Sequence, residues 1–230
     1  MNTALAESLV SKHPRWYHRY EIFPGVMTPG VYDPSHLLNS LKLPDDMTGL
    51  TALDIGAADG FFTKALSARG ADVTALDYDD KGFYGFAIME QLAGRPFRYI
   101  RSNVYDLDTH GLQPFDYVLC LGVLYHLPDM MRALWLIRKY VKRHFLLETL
   151  ISRRDETRPM AEYLPGSSLN GDYTNFWAPN VLCVSGMLSD AGFGVIDTSV
   201  GSERATFRCV RLDEPDADKK TRVAYSFLEV

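Results

Sequence analysis

The residues with chemical reach fall into two groups. The first lies in TALDIGAADGFFTKALSARGADVTALDYDD, residues 51–80. It sets Asp54, Gly56 and Gly60 in the spacing D-x-G-x-x-x-G and puts Asp77 at the end of the next apolar run. Glycines in a strand-to-helix turn let a ligand lie close to the backbone, because they have no Cβ. An acidic side chain about 20 residues further on can accept hydrogen bonds from both hydroxyls of a ribose. The second group is Tyr125 and His126, with Glu148 further along the chain. An imidazole titrates near neutral pH, so His126 is a candidate general base. The bland alternative is a histidine that bonds a backbone carbonyl and shapes its turn. Glu148 can bind a substrate cation, act as a base, or fix the following loop by a local hydrogen bond.

These groups need a scaffold, and the alternating pattern of the chain supplies one. Residues 51–57 read as a strand and 60–70 as a helix, with Phe61, Phe62, Ala65 and Leu66 apolar and Gly70 closing it. A strand over 72–78, a helix over 82–94 and a strand over 97–103 follow. Residues 115–126 read as a fourth strand running into a loop. Residues 129–141 form an amphipathic helix capped by Asp129, and 144–151 a fifth strand. Residues 152–175 show little periodicity, and a loop this long inside a compact domain is usually functional or disordered. A helix over 178–193, with Pro179 near its start, precedes an edge hairpin at 194–200 and 205–213. Upstream, residues 1–20 read as a helical arm ending in Trp16-Tyr17-His18-Arg19-Tyr20. Residues 23–35 are a loop or short hairpin, and a short helix is expected near 36–43.

Strands alternating with helices predict an α/β fold: a Rossmann-like, doubly wound, mostly parallel seven-stranded sheet with an antiparallel edge hairpin. Ligands then bind at the carboxyl ends of the strands. The expected division is a leading arm over 1–50, a cofactor-binding domain over 51–212 with a lid at 152–177, and a tail over 213–230. The tail ends in AYSFLEV, which suits an edge strand or a contact between chains, so a homodimer stays open.

Bulk composition narrows the partners. The chain has 230 residues, 47% of them hydrophobic, which suits one domain with a substantial core. Its net charge of -5 favours a small-molecule substrate over a long nucleic-acid contact. No apolar run approaches the roughly 20 residues of a membrane span. The opening MNTALAESLVSKHPRW lacks the pattern of a secretion signal, so the expected place is the cytoplasm. Cys120, Cys183 and Cys209 show no C-x-x-C spacing and read as reduced core residues. No carboxylate-and-amide cluster reads as a metal site, and none is predicted.

The turn discriminates among cofactors. A dinucleotide G-x-G-x-x-G from Gly56 would need glycine at 58 and 61, where Ala58 and Phe61 stand. The Walker pattern fails as well. D-x-G-x-x-x-G instead resembles the first motif of class I methyltransferases, D/E-x-G-x-G-x-G, with Ala58 in place of the middle glycine. The expected cofactor is S-adenosyl-L-methionine (SAM). Its site would use Asp54, Gly56, Ala57, Gly60, Asp77 and Tyr78, with Asn103 and Val104 at the adenine edge and Leu121 and Tyr125 beside it. Trp16 and Tyr17 would cover the cofactor from the arm, with His18 or Arg19 near the methionine carboxylate. Asp172, Tyr173, Asn175 and Trp177 close the lid. The last three suit a planar or polyhydroxylated acceptor, although Trp177 is equally placed to be core.

GVLYHLPDMMRALWLIRKYV, HFLLETL, YTNFWAPNVLCVSGMLSDAGF and WYHRYEIFPGVMTPG make the resemblance narrower. Together they resemble, over roughly 14–200, the methyltransferase group that includes the wobble-uridine carboxymethyltransferase of bacterial tRNA. The resemblance implies a class I fold and cofactor site, with Tyr125 matching the tyrosine of the GVLYH motif that lies near the cofactor. Two departures stand out. The tRNA enzyme carries a large N-terminal region that nothing here matches. It also uses carboxy-S-adenosyl-L-methionine, with a lysine where His18 stands beside Arg19. The expected function is therefore SAM-dependent methyl transfer to a small molecule, at an oxygen, with His126 assisting deprotonation. The alternatives are a tRNA wobble-uridine modifier and a non-catalytic SAM-binding module.

Overall fold

The computed structural model describes residues 2–213. The chain divides into two compact units at Asn103/Val104. The first contains α1 (Thr3–Lys12), β1 (Glu21–Phe23), β2 (Val26–Met27), α2 (Ser35–Ser40), β3 (Thr51–Ile55), α3 (Phe61–Ala68), β4 (Asp72–Asp77), α4 (Phe86–Ala93) and β5 (Arg98–Arg101). The second contains β6 (Phe115–Leu121), α5 (Met130–Lys139), β7 (Val141–Leu150), β8 (Ala161–Tyr163), β9 (Trp177–Pro179), α6 (Val181–Asp190), β10 (Phe193–Val200) and β11 (Arg204–Arg211). Short 3₁₀ segments lie at Val104–His110 and Leu124–His126.

Seven strands form one sheet in the order β10-β11-β7-β6-β3-β4-β5. The pairs β3–β4, β4–β5 and β6–β7 are parallel, and β7–β11 and β11–β10 are antiparallel. This is the Rossmann-like α/β arrangement that the alternation predicts, with its antiparallel hairpin at one edge. Strand β3 is buried from Ala52 to Ile55, as a parallel strand covered on both faces must be.

In the first unit, α1 is capped by Asn2, whose side chain accepts from the Leu5 amide. The expected arm over 1–20 is shorter as a helix and stops at Lys12. Pro14 disfavours helical backbone at the residue before it, and His13 is extended (φ -84°, ψ 126°). Residues 23–35 resolve in favour of the hairpin: β1 and β2 pair antiparallel around Gly25, whose φ is 76°. Ala6, Val10, Tyr20, Ile22, Phe86 and Met89 share one apolar cluster, so the arm is part of this unit's core.

In the second unit, α5 is capped by Asp129, which accepts from the Arg132 amide. The helix ends at Lys139 rather than 141, and Val141 already belongs to β7. The expected helix over 178–193 begins later, at Val181. Asn180 caps it through a bond from the Cys183 amide, and this capping sets the start more strongly than Pro179 does. Pro179 instead ends β9, which pairs with β8. The segment 152–175, expected to lack periodicity, therefore contributes one strand, β8, to a small antiparallel sheet completed by β9 just after it. Cys120 and Cys209 are buried, Cys183 is half-buried, and none of the three forms a disulfide. Among the described residues no helix is long and apolar enough to cross a membrane. The AYSFLEV tail lies outside the described residues.

Candidate functional site

In the first unit the turn after β3 holds three residues in left-handed backbone: Gly56 (φ 79°), Ala58 (φ 47°) and Gly60 (φ 85°). Left-handed backbone explains why glycine suits the motif's middle position. Ala58 adopts it at a cost of about 1 kcal/mol. A bond from the Ala58 amide to Asp77 Oδ2, 2.8 Å long, holds it there. A Cβ at Gly60 would collide with Met89 Cε, so α4 packs hard against this turn. Asp77 also accepts from the Asp79 amide at 3.0 Å, and burial pushes its carboxyl up. Two oxygens with about four lone-pair sites leave it able to accept further bonds. Asp54 lies beneath the turn with Oδ2 2.6 Å from Thr63 Oγ1, and burial pushes its carboxyl up to about 6. The structure thus gives Asp54 a tie between β3 and α3.

The leading residues of this unit converge on Asp59, which the motif alone does not single out. Its carboxylate accepts from the amides of Tyr17 (3.0 Å) and His18 (2.7 Å) and lies 2.6 Å from His18 Nδ1. His18 is buried between Asp59 and the rings of Tyr32, Phe61 and Phe62. Trp16 donates from Nε1 to the Val10 carbonyl, and its indole fills the space a Cβ at Gly85 would need. Tyr17 keeps about two fifths of its surface exposed and stacks on Tyr32. Arg19 is exposed, and its amide donates to the Tyr32 carbonyl. Ala57 is buried, Tyr78 is exposed, and Asn103 is half-buried.

In the second unit Tyr125 and His126 form the 3₁₀ turn after β6, their rings 4.0 Å apart. The Tyr125 hydroxyl accepts from Arg204 Nη2 at 2.9 Å, and Arg204 Nε donates to Glu148 Oε1. Burial raises the Glu148 carboxyl and Arg204 opposes the shift. Glu148 therefore belongs to a charged pair. Arg204, which no sequence motif marks, reaches it because β11 pairs with β7.

His126 Nδ1 lies 3.1 Å from the Thr174 carbonyl and 3.0 Å from Thr174 Oγ1. The Thr174 hydroxyl gives its proton to Asp172 Oδ1 at 2.6 Å, and a carbonyl can only accept. Nδ1 must then carry the imidazole proton, which leaves the Nε2 lone pair as the basic position. Burial lowers the pKa of His126, so the neutral ring dominates at pH 7.

The remaining lid residues divide by exposure. Tyr173 is 80% exposed, whereas Asn175 is buried with its amide over the Leu169 and Asp172 carbonyls. Trp177 is half-buried, donates to the Pro128 carbonyl and meets Tyr163 edge-on. The Phe176 amide donates to the Tyr125 carbonyl, which ties the lid to the Tyr125–His126 turn. Val104 and Leu121 are buried. Among the described residues no group of three or more His, Cys, Asp or Glu could hold a metal ion.

A profile described as a methyltransferase domain matches residues 53–144, the stretch from β3 into β7. The fold is that of Rossmann-like methyltransferases. It superposes on the N-terminal domain of EvdMO1 with S-adenosylhomocysteine (SAH) bound at a TM-score of 0.68 and 19% identity, covering 93% of this chain and 98% of that one. It also matches the Burkholderia thailandensis 1,6-didemethyltoxoflavin-N1-methyltransferase at 0.57 and 20% identity, over 78% of this chain and 75% of that one.

Particular relatives follow. Ubiquinone biosynthesis O-methyltransferase of Nitrosomonas europaea is 31% identical over 104 residues, 43% of this chain and 44% of the relative. The protein of the same name in Rickettsia conorii is 27% identical over 158 residues, 65% of this chain and 53% of the relative. The chain thus spans about half the length of the curated relatives it matches.

Proposed function

We propose that this protein is a SAM-dependent methyltransferase that methylates an oxygen of a small-molecule acceptor. The turn of the first unit, with Asp77, takes the adenosyl cofactor. His126 of the second unit takes the acceptor's proton. The observation that carries the reading is the bond between Asp77 and the left-handed Ala58, inside a segment matched as a methyltransferase domain. It sets an acidic ribose acceptor against a glycine turn in the motif of that class. The fold shared with SAH-bound proteins supports SAM as the cofactor, and the names of the curated relatives support oxygen as the acceptor atom.

Methyl transfer from a sulfonium is a direct displacement, and the cofactor supplies the reactive group. The chain's own residues must hold the acceptor in line, exclude water and remove a proton from a hydroxyl. His126 suits the proton removal, since its ring is neutral, with Nδ1 engaged and Nε2 basic. Tyr173, Asn175 and Trp177 are assigned to the acceptor side. Trp16, Tyr17, His18, Asp54, Gly56, Ala57, Gly60, Tyr78, Asn103, Val104, Leu121 and Tyr125 are assigned to the cofactor side, and Glu148 to the charge balance beside Tyr125.

A tRNA wobble-uridine modifier using carboxylated SAM is the second reading. It rests on the GVLYH and W-A-P-N segments, and none of the relatives above carries a tRNA name. The test is incubation with methyl-labelled SAM and host extract, split into RNA and small-molecule fractions and followed by mass spectrometry beside His126→Ala. Label in a small molecule, lost in the variant, is expected. Label in RNA would transfer the assignment to the tRNA reading. SAH binding without any labelled product would favour a non-catalytic binding module.

A further inference from the structure

Asp59 is a fully buried carboxylate that methyl transfer itself does not need. It stands in the turn between two left-handed residues, Ala58 and Gly60, and is 0% exposed. A buried carboxylate is tolerated only when its oxygens are bonded. Here the leading segment bonds them. Oδ2 accepts from the Tyr17 and His18 amides, and Oδ1 faces His18 Nδ1. The Asp59 carbonyl accepts from the Tyr20 hydroxyl at 3.1 Å. Residues 13–17 and 19–20 have no helix or strand, and His18 forms only an isolated bridge to Tyr32. The path of the segment is set by Asp59 together with Tyr32 and Thr28, and Asp59 is the group that ties it to the glycine turn.

The neighbouring residue of the same turn, Ala58, is the one bonded to Asp77. Adjacent positions of one strained turn thus hold the ribose acceptor on one side and the Tyr17–His18 segment on the other. We infer that Asp59 is a positioning residue for the adenosyl cofactor: it locks residues 17–20 to the glycine turn, so that freeing the segment and losing cofactor affinity are one event. This rests on the functional reading above.

The test uses SAH as probe on the full chain. Its affinity would be measured by calorimetry, with hydrogen exchange at the Tyr17 and His18 amides and a melting temperature for each variant. Asp59→Ala is expected to speed exchange at both amides and weaken SAH at least about tenfold, as loss of charge-assisted bonds should. Asp59→Asn keeps an oxygen that can accept both amides, so it should return most of that affinity. Leu188→Ala, a core change in α6, should lower the melting temperature and leave SAH affinity within about twofold, because it removes packing alone. If Asp59→Ala does not fold, Asp59→Ser, whose shorter side chain cannot keep both amides, is read the same way. Faster exchange with unchanged SAH affinity would overturn the inference. So would an equal loss of affinity in Leu188→Ala. Failure of the unaltered chain to bind SAH would overturn the functional reading, and the inference with it.

Discussion

The two units hold their chemical groups by different means. In the first, carboxylates bond backbone amides, half-buried Asp77 with Ala58 and Asp79 and buried Asp59 with Tyr17 and His18, alongside the side-chain ties of Asp59 to His18 and Asp54 to Thr63. In the second, side chains bond side chains: Glu148 with Arg204, Arg204 with Tyr125, Asp172 with Thr174, and Thr174 with His126. A tie to the backbone fixes the path of the chain and leaves little room for substitution. A tie between side chains can be rebuilt by exchanging both partners.

The sharpest way to break this comparison is at His126. His126→Ala should lower turnover by about 10²–10⁴-fold, the usual worth of a general base, while SAH affinity stays unchanged. The unaltered protein should lose activity as pH falls through the lowered pKa of His126, so the acid limb should lie below its ordinary value of 6.5. A limb above that value would remove His126 from the base role.

Next comes the charged pair. Arg204→Met leaves Glu148 buried without its partner and should cost roughly 2–3 kcal/mol in denaturant unfolding. That is at or just below the foot of the roughly 3–5 kcal/mol range for broken buried pairs, because the guanidinium side chain keeps about a third of its surface exposed. Adding Glu148→Leu should recover much of the loss. Failure to recover it would show that the second unit is no more exchangeable than the first.

Asp77→Ala should weaken SAH by about 10²-fold, since two hydrogen bonds to a charged group are lost. Asp54 offers a contrast within the same turn. Its carboxyl rises on folding from 3.8 to about 6, so the folded state binds this proton more tightly than the unfolded one. Its contribution is most favourable below pH 3.8 and is lost as pH rises to about 6. Asp54→Asn should therefore stabilise the protein at pH 7 by up to about 3 kcal/mol, following from 1.4 kcal/mol per pKa unit and a retained bond to Thr63. The gain should shrink toward pH 4. A gain independent of pH would assign the effect to packing.

The smallest effect is expected at Ala58→Gly. Relief of left-handed strain gives about 1 kcal/mol, partly offset by the greater freedom of glycine in the unfolded chain. The net change in thermal unfolding should be under about 1 kcal/mol, with SAH affinity retained.

The sequence made the parts with local signals legible. The alternation predicted the sheet, the last two apolar runs its antiparallel edge, and the glycine spacing located the turn; the bond from the Ala58 amide to Asp77 came only with the fold. Local competition defeated some boundaries: Pro14 stops the arm at Lys12, and Asn180 outcompetes Pro179 for the helix start. Asp59 and Arg204 had no local signal. Asp59 meets amides 41 and 42 residues away, and Arg204 meets a carboxylate 56 residues away. An acidic residue in a turn and an arginine in an edge strand read as solvated until the fold brings their partners to them.

The chain from Asp172 through Thr174 to His126 has a further consequence if His126 is the base proposed above. The proton sits on Nδ1 because residues 172–174 hold it there. With those residues swung away, either nitrogen could carry it, and the ring would lose its reason to present a bare Nε2. The base is then armed only while the segment is docked. The sequence of residues 172–174 is thus part of what sets the protonation of the ring as well as the shape of the turn beside it.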